Sequence, residues 1–500
     1  MFYRSLSRFR LAAIVFLFTM AFISISTAAD LPLRYPSPEE QEEWARNNPS
    51  SLPHWLTPDE LERLDEIGKG FQPTEAPPGP VRQPAEFEPM QGALIRYPFG
   101  ISYDIIAEMS EDVEVVTIVS NTSQQDYVLQ QYESHGVNTA NCSFLIAPTE
   151  SYWTRDYGPW FVINGFDEQG IVDVIYNRPR PNDDEIPYEY GLAEDIPVYA
   201  MDLETAGGNY MTDGQGISVS TDLIWSENPG MTPGEIDQMV QNYLGIDTYH
   251  VVPDVLNEYI QHIDCWGKYL SPSTIMIIEV PSSDPQYDEI EDAVDYFQSQ
   301  MSCYGTPYNV VRVYTPNGQP YINSFILNDK VLMPITGSSW DDDAIASYEA
   351  AMPGYEVLGF TGSWVTTDAI HCRVMGITDR QMLYIEHTPL RDGRPTDEGF
   401  LVEAVVIPYS NKALINGTPV VYWTTGGNWN SVTMNPVGGF TYEAYIPPQP
   451  HNTIIDYFIH AEDAAGRSEN HPYIGATGAH SFRVFDPIIT THEATPHEID

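Results

Sequence analysis

The stretch TIMIIEVPSSDPQYDEIEDAVDYFQSQMSCYGTPYNVVRVYT, residues 274–315, changes its period twice. Residues 274–280 form a short apolar run rich in β-branched side chains, residues 287–301 an amphipathic segment, and residues 309–315 a second apolar run. Strand, helix and strand in succession predict an α/β domain. Working outward, the same alternation extends from Ala93 to about Pro389. GALIRYP, VEVVTIVS, GIVDVIYN, SFILNDKVLMPI and MLYIEHT read as further strands, with SQQDYVLQQYESHG and PGEIDQMVQNYLG as helices between them.

The flanks have other textures. Arg4, Arg8 and Arg10 precede an apolar run over residues 11–25, followed by the small residues 26–29. That pattern predicts a secretory signal peptide over 1–29, cleaved before Asp30, and a mature chain with no membrane span. Residues 30–83 predict a helical extension and linker: Ser37-Pro38 and Thr57-Pro58 are helix starts with acids in the first turn, and TEAPPGPVRQP is the Pro-rich connection. Beyond Glu398 short strands alternate with turn residues and no helical period appears. A β-sandwich of immunoglobulin-like size over 398–486 is expected, without an internal disulfide because no cysteine follows Cys372. Residues 487–500 remain as a tail.

Charge excludes one class of partner. Seventy-one acidic against 22 basic residues give a formal net of -49, which repels phosphate backbones, so no nucleic acid is expected. Two readings of the acids stay open, solvation in a saline habitat and attraction of cationic substrates. The four cysteines, at 142, 265, 303 and 372, lack the spacing of a zinc knuckle. A Cys142 to Cys303 bridge stays open. WDDDA (340–344) and NDDE (182–185) are acidic loops that read as solvated rather than as calcium ligands.

Several polar clusters exceed what a core needs: SYWTRDYGPW (151–160), YNRPRPNDDE (176–185), GGNYMTDG (207–214), EYIQHIDCWG (258–267) and TDAIHCRVMG (367–376). If extended, EYIQHIDCWG places His262 and Asp264 on one face of a strand. A cysteine, a histidine and two aspartates match the needs of guanidinium hydrolysis. Carboxylates grip the flat cation, a thiolate attacks its central carbon, and an acid protonates departing ammonia. A bound cation also favours the thiolate.

At these residues the chain resembles the guanidine-modifying pentein superfamily, and within it the agmatine deiminase-like family that includes bacterial peptidylarginine deiminases. The resemblance is carried, in the family's order, by PAEFEPMQGALIRYP (84–98), WTRDYGPW, GGNYMTDG, QHIDCWG, YINSFILNDKVLMP (321–334) and IHCR. It implies a five-bladed α/β propeller with pseudo-fivefold symmetry over residues 84–395 and an active site on the central axis. It further implies Cys372 as nucleophile, His262 as general acid and base, Asp156 and Asp264 as the guanidinium-binding pair, and Asn323 as a supporting residue. Trp153 and Tyr259 would wall the substrate's aliphatic stem, and Arg178 and Arg180, a feature of the peptidylarginine branch, would face its carboxylate. An ordinary ion pair of these arginines with Asp183 or Asp184 is the alternative, and His371 is expected to be structural. One departure stands out: the family's GGGNIHC is TTDAIHC here.

The resemblance therefore implies a secreted or cell-surface peptidylarginine deiminase acting on arginine-containing peptides or proteins, with neither metal nor organic cofactor. A small-molecule deiminase or amidinotransferase acting on agmatine or free arginine is the alternative reading. A non-enzymatic binding protein built around the β-sandwich is the third.

Overall fold

Residues 274–315 fold as their period predicts. Strand Thr274–Glu279, helix Tyr287–Ser299 and strand Asn309–Tyr314 follow one another, and the two strands pair in parallel with Thr274 opposite Asn309. Ile275, Met276 and Ile277 are all fully buried, as befits a central strand covered on both faces. The computed structural model describes residues 33–393 and 395–485. The expected signal peptide (1–29) and tail (487–500) lie outside them, and among the described residues no helix is long and apolar enough to cross a membrane.

This unit recurs. Four three-stranded sheets are built from Trp160–Ile163, Gln169–Tyr176 and Val198–Thr205; from Met211–Thr212, Ile217–Thr221 and Thr248–Val252; from Gly267–Ser271, Thr274–Glu279 and Asn309–Tyr314; and from Phe325–Leu327, Lys330–Ile335 and Glu356–Thr361. In each, the first pair is antiparallel and the second parallel. A fifth sheet joins the two ends of this region, because Met375–Thr378 pairs antiparallel with Met90–Arg96, itself parallel to Glu114–Val119. Helices cross between the parallel strands and start where the sequence signals them. Helix Pro233–Leu244 opens on a Thr232/Glu235 capping box and closes at Gly245, whose φ of +71° and contact with the Val81 carbonyl leave no room for a side chain.

Two sequence expectations need correction. SFILNDKVLMPI is a hairpin, not one strand: Phe325–Leu327 and Lys330–Ile335 fold back at Asn328, whose φ is +54°. MLYIEHT does not belong to the α/β part, because Leu383–Glu386 pairs antiparallel with Phe400–Pro408 and buries Leu383 and Ile385 in the C-terminal core. That second unit has two sheets. One orders Leu383–Glu386, Phe400–Pro408, Thr441–Ile446 and Asn435–Gly438, and the other centres on Val420–Thr424 and Ile454–Glu462. Alternate residues of Ile454–Glu462 point into the shared core. The unit docks through Arg82, whose guanidinium lies 3.8 Å above the Tyr384 ring, and through an Arg467 to Asp379 ion pair of 2.8 Å. All four cysteines are free, which closes the question of a Cys142 to Cys303 bridge.

Several buried or half-buried acids form no ion pair among the described residues. Burial pushes Asp173 and Glu227 up to about 8 and Asp183, Asp213 and Asp254 up to about 7. A carboxyl raised by folding binds its proton more tightly in the native state, so its stabilisation is complete below the unfolded value and is lost as pH rises through 7 to 8. Self-repulsion from a net charge of -49 acts in the same direction. The midpoint of thermal unfolding should therefore drop by more than about 5 °C between pH 5 and pH 8. Molar salt should recover part of the loss at pH 8 by screening. Calorimetry across that pH range checks both, and a flat profile would contradict them.

Candidate active site

Asn323 organises the turn that carries Cys372. Its Oδ1 accepts from the backbone N–H groups of Ala369 (3.1 Å) and Cys372 (3.3 Å), and its carbonyl accepts from His371 N–H (3.1 Å). Its Nδ2 donates to the Cys372 sulfur at 3.2 Å and to Asp264 Oδ2 at 3.1 Å. Asn323 sits in a turn before strand Phe325–Leu327. The TTDAIHC loop is tied to its own exit, where Arg373 grips Asp368 with two hydrogen bonds, 2.7 Å from Nε and 2.5 Å from Nη2.

His262 and Asp264 also arrive by a turn rather than a strand. Gln261 has φ of +53°, a conformation few side chains adopt, and a 3₁₀ turn at Ile263–Cys265 follows. Asp156 comes from the short helical turn Thr154–Tyr157. The three side chains converge on Gly208, where an added Cβ would lie 2.6 Å from His262 Nδ1, 2.7 Å from Asp156 Oδ1 and 3.2 Å from Asp264 Oδ2. Only glycine lets them close around that backbone. Asp264 Oδ2 stands 3.6 Å from the Cys372 sulfur.

Behind this group runs a chain of charges that the sequence did not reveal. His371 bonds Asp264 Oδ2 through Nδ1 (2.8 Å) and Glu86 Oε2 through Nε2 (2.7 Å), while Glu86 also holds Arg155 (2.6 Å) and Lys268 (2.8 Å). His371 is structural in a specific sense: it fixes the carboxylate beside the thiol. The only sequence signals were its place next to Cys372 and the acids of PAEFEPM.

These surroundings set the protonation states. Burial, and then the carboxylates of Asp264, Asp368 and Asp156, push the Cys372 thiol well above its ordinary value. Burial lowers His262 to about 4, in spite of the nearby Asp156 and Asp264. For Asp156 burial acts upward, but the imidazoles of His54 and His262 outweigh it and hold the carboxyl well below its usual range. Asp264 is likewise lowered, burial being outweighed by its hydrogen bond from His371. Neither ring nitrogen of His262 has a hydrogen-bond partner, and Asp156 Oδ1 is 3.6 Å from its Nδ1.

The remaining expected residues meet the N-terminal extension. Trp153 stacks on the His54 ring, 4.1 Å between centroids, and donates from Nε1 to the Leu52 carbonyl at 3.1 Å. Arg178 donates to the His54 carbonyl (3.3 Å), and Arg180 to the Pro53 carbonyl (2.6 Å) and Glu60 (2.6 Å). The alternative of ion pairs with Asp183 or Asp184 is thus not what forms; Asp183 instead accepts from Ser151 and the backbone of Glu150. Tyr259 packs edge-on to Trp55, 6.1 Å between ring centroids, and meets Thr367 Oγ1 at 3.1 Å. His54 itself was not foreseen. Its Nε2 lies 2.6 Å from Asp156 Oδ2, 102 residues away in sequence. His54, Asp156 and His262 offer ligand atoms within 4.8 Å of one another, as do His54, Asp368 and Cys372; either trio has the donor set for a divalent ion.

Comparison with known proteins agrees with this geometry. The family model described as Porphyromonas-type peptidyl-arginine deiminase matches residues 82–377. A putative agmatine deiminase of Legionella pneumophila is 25% identical over 279 residues, covering 51% of this chain and 79% of the relative. The agmatine deiminase of Medicago truncatula is 22% identical over 357 residues, covering 58% and 94%. Among solved structures, agmatine deiminase of Enterococcus faecalis superposes with a TM-score of 0.54 at 21% identity, covering 60% of this chain and 96% of that one. A putative arginine deiminase of Porphyromonas gingivalis gives 0.53 at 17%, covering 59% and 98%. These likenesses show the mixed α/β fold. With its matched region spanning the thiol, the histidine and both carboxylates, the chain belongs to the Porphyromonas-type peptidyl-arginine deiminase family, whose members are guanidine-modifying hydrolases of amidine C–N bonds.

Proposed function

We propose that this chain is an exported peptidylarginine deiminase, converting the guanidinium of peptide arginine to citrulline and ammonia. In this reading the five sheets are the blades of a pseudo-fivefold propeller, and the C-terminal unit is an immunoglobulin-like sandwich. The observation that carries the reaction is the meeting of the Cys372 sulfur with Asp264 and Asn323, close to Asp156 and the unpartnered imidazole of His262.

Asp156 and Asp264 hold the guanidinium, whose positive charge offsets the carboxylates that keep Cys372 protonated. The thiol proton passes to His262 as sulfur bonds to the guanidinium carbon. His262 returns that proton to one nitrogen, which leaves as ammonia, and a cationic thiouronium remains. Water then loses a proton to His262 and its oxygen bonds to the same carbon. The C–S bond breaks, sulfur recovers a proton, and the remaining proton leaves with ammonia as ammonium. No redox partner enters this balance.

Peptides are favoured as substrates by Arg178 and Arg180, rigid donor forks directed at main-chain carbonyls. They suit a terminal carboxylate as well, and agmatine offers neither group. The test is ammonia release from peptides ending in Arg, their C-terminal amides, peptides with internal Arg, free arginine and agmatine. A charged hydrogen bond contributes ~1.5–3 kcal/mol, so free-acid peptides should exceed their amides by about one to two orders of magnitude in kcat/KM. Arg178→Ala with Arg180→Ala should narrow that gap. The names of the agmatine deiminase relatives favour a second reading, a small-molecule enzyme, and agmatine as the best substrate would establish it.

A further inference from the structure

The segment SLPHWL, residues 51–56, lies in the cleft as a peptide ligand would. Three consecutive carbonyls, of Leu52, Pro53 and His54, are taken by Trp153, Arg180 and Arg178. The side chain of the third residue, His54, enters the site. Its flat imidazole lies on Trp153 at an interplanar angle of 13°, meets Asp156 at 2.6 Å and comes within 4.8 Å of the Cys372 sulfur. A guanidinium bound between Asp156 and the thiol would need the same volume. With His54 in place, Cys372 is 0% exposed and Asp156 and His262 1% each, so no arginine side chain can reach them.

The extension combines exposed flanks with a buried centre, Pro53 to Trp55. Helix Pro38–Asn47 buries none of its residues, and residues 72–75 of the following linker are exposed. Besides the three carbonyl bonds, the extension is held by His54 on Asp156, Glu60 on Arg180, Leu52 N–H on the Glu150 carbonyl (2.9 Å), Arg96 on the Ser50 carbonyl (3.0 Å) and a parallel bridge between Arg34 and Glu258. Glu60 places a carboxylate against the arginine assigned above to the substrate's main chain or terminus, so the extension satisfies both ends of the cleft.

We propose that residues 51–60 are an intramolecular inhibitor that occupies the deiminase cleft in the manner of a substrate peptide, with His54 in the guanidinium position. The inference rests on the deiminase reading for its catalytic consequence only; occupancy of the cleft is measurable without it. Displacement of the segment by a competing peptide, or its cleavage in the linker, then opens the site.

The test uses the full chain and two variants, His54→Ala and His54→Arg, with melting curves to confirm folding. Alkylation of Cys372 by a small chloroacetamidine, followed by intact mass, reads access to the thiol. His54→Ala should be alkylated at least ten times faster than the parent and should gain at least tenfold in kcat/KM on a short arginine peptide, mainly through KM. His54→Arg should modify its own position 54, gaining the mass of an NH replaced by an O. Equal alkylation rates, a loss of activity in His54→Ala, or an unmodified position 54 in an active His54→Arg enzyme would each overturn the proposal. If the deiminase reading is what fails, no form makes citrulline, while the alkylation rates still decide whether His54 covers the thiol.

Discussion

Cys372→Ala should lose citrulline formation by ~10⁴ or more, in the parent chain and in a His54→Ala background alike, because it removes the nucleophile itself. The substitution is gentle on the fold. Asn323 Nδ2 keeps its bonds to the carbonyl of Asp264 (3.2 Å) and to Oδ2 (3.1 Å), and no ion pair is broken. The melting temperature should therefore stay close to that of the parent, and substrate peptide should still bind. Cys142→Ala is the control: Cys142 opens strand Cys142–Ile146, donates only to the Asn138 carbonyl, and should leave turnover unchanged. Ammonia release together with a binding measurement on each variant checks the pair. Turnover in Cys372→Ala above a hundredth of the parent rate would remove the thiouronium step from the mechanism.

What was legible in the sequence follows the range of the forces involved. Periodicity reports local backbone geometry, so residues 274–315 and the helices at 122–134 and 233–244 could be read directly. Asp156, Asn323, Asp264 and Cys372 could be proposed because their motifs occur together and in order, and folding brings them together. Three features were out of reach. The left-handed Gln261 that aims His262 leaves no compositional trace. Glu86 reaches His371 across 285 residues, and nothing in PAEFEPM says which acid will do so. His54 is the clearest case. The N-cap and proline at Ser37-Pro38 and Thr57-Pro58 announced the helices on either side of SLPHWL, but a local pattern cannot tell that the residues between them cross to Asp156. Arg178 and Arg180 were recognised as a rigid pair; their partners Glu60, Pro53 and His54 belong to the same unforeseen crossing.

His262→Ala should reduce kcat by ~10²–10⁴, the span over which a positioned proton-transfer group contributes. Two observations place the effect in the chemical step rather than in binding. Burial holds the imidazole down to about 4, so at pH 7 it is neutral and able to take the thiol proton, while Cys372 is pushed upward and retains that proton until substrate binds. Neither nitrogen makes a hydrogen bond to the protein, so the turn at Ile263–Cys265 does not depend on the ring. The loss should thus fall on kcat, with KM changed little. Sign follows from the same directions. In the parent, protonation of His262 near pH 4 removes the proton acceptor, so the rate should fall on the acid side; in His262→Ala that limb should disappear while the slope set by the thiol persists toward alkaline pH. Exogenous imidazole should restore part of the rate, since the cavity left by the ring adjoins Asp156 and Gly208. A variant that loses substrate binding instead, keeps the acid limb and ignores added imidazole would assign His262 to binding and leave the proton transfers to another group.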